Sequence, residues 1–288
     1  MNTVPVVCGV AASAVCIGLM LSRGRARAAA PLLRPAIVLF GDSITQQSFA
    51  PSGWGAAVAA VYQRTADITL RGYSGYNTRW ALNTLPAIFP AGAAATTTPA
   101  LVTVLLGAND ANLPAPLRKQ SASASRQHVP LDEYVDNLRS IVRAIRATGD
   151  GSARVLLITP PPVDVEKWHT HCIATYPGYD KDAEPNRAFA VTQSYAEACA
   201  KLGAEMRTPT LDLHAAFAAR DDWKALLLDG LHPNADGGKA IADEVIGAIH
   251  KFYPELRPSS FFDPDPAKLP LDFPDHKNID PHNPKASF

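Results

Sequence analysis

The sequence predicts an α/β protein: one domain, a three-layer α/β/α sandwich around a parallel sheet of five strands. Five short apolar or β-branched runs alternate with longer segments, several with helical spacing of apolar residues, as in a chain of repeated β-α units. Two of the runs, residues 37–40 and 100–106, are almost continuously apolar, which suits strands covered on both faces. The 288 residues are 47% hydrophobic and 19% charged. That is enough apolar material for one sizeable core and too little charge for a disordered chain.

Taken in order, residues 37–40 form the first strand, bounded by Pro35 and by a turn at Gly41. Gly41 is expected to supply backbone freedom to that turn. An Ala/Val-rich helix opens at residues 53–55 and runs to about Tyr62; residues 67–70 read as the second strand. Residues 78–88 read as a helix stopped by Pro90, residues 91–99 as a small-residue loop, and residues 100–106 as the third strand. The polar stretch 114–130 is long enough for a lid or rim. Across residues 131–147, Val135, Leu138, Ile141, Val142 and Ile145 lie at helical spacing. Residues 155–159 form the fourth strand, ended by three prolines that cannot continue a ladder. Residues 168–184 read as irregular and 185–201 as a helix with proline in its first turn. Residues 209–213 are a short fifth strand, 223–228 a short helix and 235–252 the last long helix. The division is an apolar leader at 1–33, a body at 34–256 and a proline-rich tail at 257–288, extended over the body.

Charge excludes one class of partner. Basic and acidic residues number 27 each, but Arg23, Arg25, Arg27 and Arg34 all precede the first acid, Asp42. Residues 35–288 therefore carry four more acids than bases, 27 against 23, and offer no footprint for nucleic acid. Cys172 and Cys199 are the only body cysteines, and two without a metal-type spacing are expected as free thiols.

Ser43 follows the first strand directly. It is placed where open α/β sheets hold their ligands, at a strand's carboxyl end, and is a candidate nucleophile. If a helix follows, its backbone N–H is also a preformed anion donor. Gly72-Tyr-Ser-Gly75 follows the second strand, Gly107-Ala-Asn-Asp110 the third, and Asp229-Gly-Leu-His-Pro233 lies near the end. These four blocks, in this order, resemble the SGNH (GDSL-type) hydrolase superfamily over residues 34–256. Residues 71–82, 106–111, 127–130 and 158–164 resemble its isoamyl acetate-hydrolysing esterase branch, and residues 272–288 the tail of plant-type members. One position departs: Leu70 stands where the superfamily often has Asn, which bears on a turn-stabilising side chain. The resemblance implies a flavodoxin-like strand order 2-1-3-4-5 and a serine esterase acting on acetate-type or other short-chain esters through an acyl-enzyme. Carbohydrate or xenobiotic acetyl groups are further candidate substrates.

On that reading Ser43 is the nucleophile, His232 the base and Asp229 the group that orients it. The backbone N–H groups of Ser43 and Gly75 and the Asn109 side chain are the oxyanion donors. The residue types suit the chemistry: an imidazole matches proton transfer near neutral pH, glycine permits close backbone approach, and an amide donates without charge. Each residue also admits a plain role, Asp229 and Gly75 in turns, Asn109 in a loop, His232 near a helix start; their joint order favours the chemical reading. Ser74 is a rival nucleophile without a Gly-x-Ser-x-Gly elbow, and Asp42 and Asp110 read as turn-stabilising. His169, His171 and Cys172 lack a third firm metal ligand; no metal and no cofactor is expected. Trp54, Tyr76 and Trp80 read as core or pocket wall. Two other functions stay open: acyl transfer to an acceptor alcohol, and a silent binding module of the same fold.

Residues 4–21 are 18 residues without a charge, about 27 Å of helix at roughly 1.5 Å per residue, marginal for a membrane core of about 30 Å. The arginines follow the apolar run, which places the body on the cytoplasmic side if the segment anchors the chain. Cleavage after residues 28–30, an organelle-targeting role and an inert extension are the rivals.

Overall fold

The computed structural model describes residues 34–92, 97–114, 126–179, 181–182, 184–260 and 265–287. Five parallel strands form the sheet: β1 (Ala36–Gly41), β2 (Asp67–Gly72), β3 (Leu101–Leu105), β4 (Arg154–Ile158) and β5 (Thr210–Leu211). Their order is β2-β1-β3-β4-β5. The expected fold class and strand order are therefore both present. In register, Gly41 pairs with Gly72 on one side and Leu105 on the other, so three of the four motif loops leave the sheet side by side. Strand β2 is added on one side of β1 and β3 on the other, so the winding switches between β1 and β3, the point where such sheets open a ligand crevice.

Alternation along each strand divides the core into two layers. Ile37, Leu39, Leu101, Leu156 and Ile158 face α2 (Trp54–Val61) and α8 (Ala235–Phe252). Val38, Phe40, Val102, Val104, Val155 and Leu157 face α3 (Thr78–Ile88), α4 (Leu131–Arg146) and α6 (Phe189–Glu205). In α4 the helical stripe read from sequence is the buried one: Leu138, Ile141, Val142 and Ile145. Short α1 (Ser43–Gln46) follows β1, and α7 (Leu213–Ala218) follows β5.

Three expectations need correction. Residues 168–184 are not wholly irregular, because α5 spans Val165–Thr175 with Asp164 capping the Lys167 N–H at 3.3 Å. Its buried face is only Trp168 and Cys172, four residues apart, too narrow a stripe to show as a period. Helix α6 starts at Phe189, not at Pro185; Asn186 and Arg187 are bonded to the loop after β3 and hold the preceding chain out of the helix. Gly41 serves space, not freedom. It is absent from the positive-φ residues, but a Cβ there would lie 2.2 Å from Thr45 Oγ1 and 2.4 Å from the Leu105 carbonyl oxygen.

The carboxyl-terminal segment packs Leu269 against the first core layer and bonds Asp272 to Arg34 and Arg64. Among the described residues no helix is long and apolar enough to cross a membrane; the leader at 1–33 lies outside them, as do residues 115–125 of the expected lid or rim.

Candidate active site

The site is assembled at the carboxyl ends of the strands. Asp42 caps α1 by accepting the Ile44 N–H at 2.9 Å, which places Ser43 at the first helical position, where backbone N–H groups have no intrahelical acceptor. Ser43 is only 5% exposed and lines a pocket of about 330 Å³. After β2, Tyr73 N–H donates to the Gly41 carbonyl at 2.9 Å and Ser74 N–H to Gln46 Oε1 at 2.7 Å, tying this loop to α1. Gly75 follows with φ +78°, a conformation L side chains rarely adopt. Its carbonyl accepts from Gln127 Nε2 at 3.1 Å.

Asn109 and Asp110 leave β3 buried. Asn109 Nδ2 donates to the Tyr76 carbonyl at 2.9 Å, and its Oδ1 accepts from Arg187 Nη2 at 3.2 Å. Asp110 accepts from the Thr78 N–H at 3.0 Å and the Thr78 hydroxyl at 2.5 Å, joining the β3 loop to the start of α3. Asp42 and Asp110 thus hold helix starts, as turn-stabilising residues do. Burial pushes both carboxyls up, Asp42 to about 6 and Asp110 to about 7.

The last block comes from the loop before α8. His232 Nε2 lies 2.9 Å from Ser43 Oγ, and His232 Nδ1 lies 2.7 Å from Asp229 Oδ2. The other Asp229 oxygen accepts the Leu231 and His232 N–H groups at 2.9 and 2.7 Å. Burial raises the Asp229 carboxyl, but the bond and charge of His232 with the two backbone donors outweigh it, leaving the group at about 2. An ionised carboxylate beneath one imidazole nitrogen and a hydroxyl at the other is a proton-relay geometry. Ser74 also lines the pocket, but the described bond from the imidazole goes to Ser43.

Trp80, Trp168, Tyr176, Tyr179 and Leu231 wall the pocket. His169 and His171 do not converge: His169 Nδ1 meets the Tyr179 hydroxyl at 3.1 Å, and His171 stacks on Trp168 with centroids 5.5 Å apart. No three His, Cys, Asp or Glu side chains among the described residues are grouped to hold a metal. Cys172 and Cys199 are buried free thiols, raised by burial to about 11 and about 12.

Sequence reasoning assigned no role to Asn186, Arg187 or Gln127. Gln127 bridges two motif loops, donating to Gly75 and accepting from Asn112 Nδ2 at 2.9 Å. Arg187 is 3% exposed. A buried cation leaves no local pattern, since its partners are Ala108 and Asn109 on another strand's loop.

Residues 39–240 match the family model of the GDSL-like Lipase/Acylhydrolase family. A GDSL esterase/lipase of Arabidopsis thaliana is 39% identical over 257 residues, 89% of this chain and 98% of that relative. An isoamyl acetate-hydrolyzing esterase 1 homolog of Bos taurus is 37% identical over 222 residues, 77% of this chain and 84% of the relative. The crystal structure of a lipase/acylhydrolase from Enterococcus faecalis shares the fold with a TM-score of 0.56 at 21% identity, covering 75% of this chain and 96% of that one. The chain belongs to the GDSL-like lipase/acylhydrolase family and is a carboxylic ester hydrolase.

Proposed function

We propose that the protein is a serine esterase that cleaves short-chain, acetate-type esters through an acyl-enzyme. The observation that carries this reading is the continuous contact from Asp229 through His232 to Ser43. With the His232 proton on Nδ1, held by Asp229, Nε2 accepts the Ser43 proton as Oγ attacks the ester carbonyl. The tetrahedral oxyanion is met by the Ser43 and Gly75 backbone N–H groups and the second Nδ2 hydrogen of Asn109. His232 then gives its proton to the departing alcohol. Water, deprotonated by the same nitrogen, attacks the acyl-enzyme, and Ser43 regains its proton as the carboxylic acid leaves.

A pocket of about 330 Å³ lies at the small end of ligand sites, which span about 300–1,000 Å³. Together with its aromatic wall and the relative named for isoamyl acetate hydrolysis, this supports a small acyl group on a small apolar alcohol. Fluorophosphonate labelling with peptide mapping, then a p-nitrophenyl ester series, tests the reading. Label on the peptide carrying Ser43 and a kcat/KM that falls as the acyl chain lengthens are expected. Label at Ser74, or the highest kcat/KM on long acyl chains, would contradict it.

The uncharged segment 4–21 supports association of the full-length chain with a membrane. Fractionation of full-length and Δ1–30 proteins tests this. Soluble protein at full mass would eliminate the anchor.

A further inference from the structure

Beside the relay, the dipeptide Asn186-Arg187 ties two walls of the site together. Arg187 Nη2 donates to Asn109 Oδ1 at 3.2 Å, and Nη1 donates to the Ala108 carbonyl. The guanidinium carbon lies 5.2 Å from the centroid of the Trp168 ring, a cation-π distance. Asn186 accepts on both its oxygens, from the Leu113 N–H at 2.7 Å and from Trp168 Nε1 at 2.9 Å. The β3 loop and α5 are thus held by neighbouring residues of the α5–α6 connection.

The consequence falls on the Asn109 amide. A guanidinium is donor-only, so its bond dictates which end of the amide faces Arg187: the oxygen. The Tyr76 carbonyl takes one Nδ2 hydrogen from the other end. Both ends being held, the direction of the second hydrogen is set before any ester arrives, and oxyanion stabilisation depends on donors that need no reorganisation. Burial lowers the guanidinium only to about 10, so it stays charged at neutral pH and polarises the amide it grips. We propose that Arg187 is the positioning residue for the Asn109 oxyanion donor, locked in turn by the stack on Trp168 and by Asn186. This rests on the role given to Asn109 above. The competing role is a counter-charge for buried Asp42, whose attraction is the largest one acting on Arg187.

A double-mutant cycle on kcat separates the two, with near-ultraviolet circular dichroism and melting curves verifying the fold. Asn109→Ala is expected to lower kcat by about 10²–10³-fold. Arg187→Lys keeps the charge but loses the fork, and is expected to lower kcat by about 10- to 100-fold. KM and the shape of the pH profile should stay near wild type. In the Asn109→Ala background Arg187→Lys should cost little further, because its target is gone. Multiplying losses, or wild-type kcat in folded Arg187→Lys, would overturn the proposal. Near-wild-type kcat in Asn109→Ala would instead remove the role assigned to Asn109 and the proposal with it. Should Arg187→Lys not fold, Arg187→Gln is read in the same cycle with the same criteria.

Discussion

The Gly230 carbonyl accepts the Asp164 N–H at 2.9 Å, seating the loop of Asp229 and His232 directly on the first turn of α5. Gly230 has φ +96°, and a Cβ there would lie 2.4 Å from the Trp168 backbone nitrogen and 2.6 Å from the Asp164 carbonyl oxygen. The relay is placed by a backbone contact that tolerates no side chain.

Gly230→Ala must therefore shift the loop. Strain at such a backbone costs on the order of 1–3 kcal/mol, and misplacing His232 by about 1 Å costs about 10²-fold in turnover. Thermal melting and kcat measured on the same preparation check this. Unchanged kcat would contradict the seating.

Ser43→Ala should abolish turnover, by about 10⁶-fold, with the melting temperature preserved. The Ser43 hydroxyl faces His232. Substantial esterase activity in folded Ser43→Ala would remove it as nucleophile.

Asp229 sits at about 2 and is ionised across the working range. Titration of Asp229 should therefore lie below the acid limb of kcat. Asp229→Asn should lower kcat by up to about 10⁴-fold through the wrong tautomer, with KM little changed. An acid limb near pH 2 in the wild type would sink the assignment.

Asp110 is held up to about 7 in the folded protein against 3.8 for the free side chain, with burial the main cause. The folded state keeps a proton that the unfolded chain releases, so this stabilisation is complete below pH 3.8 and lost as pH rises through about 7. Asp110→Asn retains an acceptor for Thr78 and cannot titrate. Its melting temperature relative to wild type should rise steadily between pH 4 and 7; a constant difference would show that Asp110 does not titrate there.

Asp272, with a side chain 8% exposed, accepts from Arg34 Nε at 2.9 Å and Nη2 at 2.5 Å and from Arg64 Nε at 3.1 Å. This clasp lies near the amino ends of β1 and β2, away from the pocket. Asp272→Ala should lower the melting temperature and leave kcat unchanged. A matching fall in kcat would mean that the segment reaches the catalytic end.

What the sequence determined by itself was whatever local order carries. Continuous apolar runs at 37–40 and 100–106 announced strands covered on both faces, and α4 announced its buried stripe, because backbone periodicity alone decides which side chains share a face. The four motif blocks were equally legible, since each is a short run at a strand or helix boundary. Tertiary structure decided the rest. The bond between Ser43 and His232 joins residues 189 apart, and it exists because the strand order carries β1 next to β3 and returns the last loop over their ends. Helix α5 was missed because it buries only Trp168 and Cys172, and Arg187 because a buried cation is tolerated only where distant acceptors meet it. Gly41 was expected to give the turn backbone freedom, and what it gives is room for Thr45 and the Leu105 carbonyl, a crowding that arises only once α1 folds back beside β3.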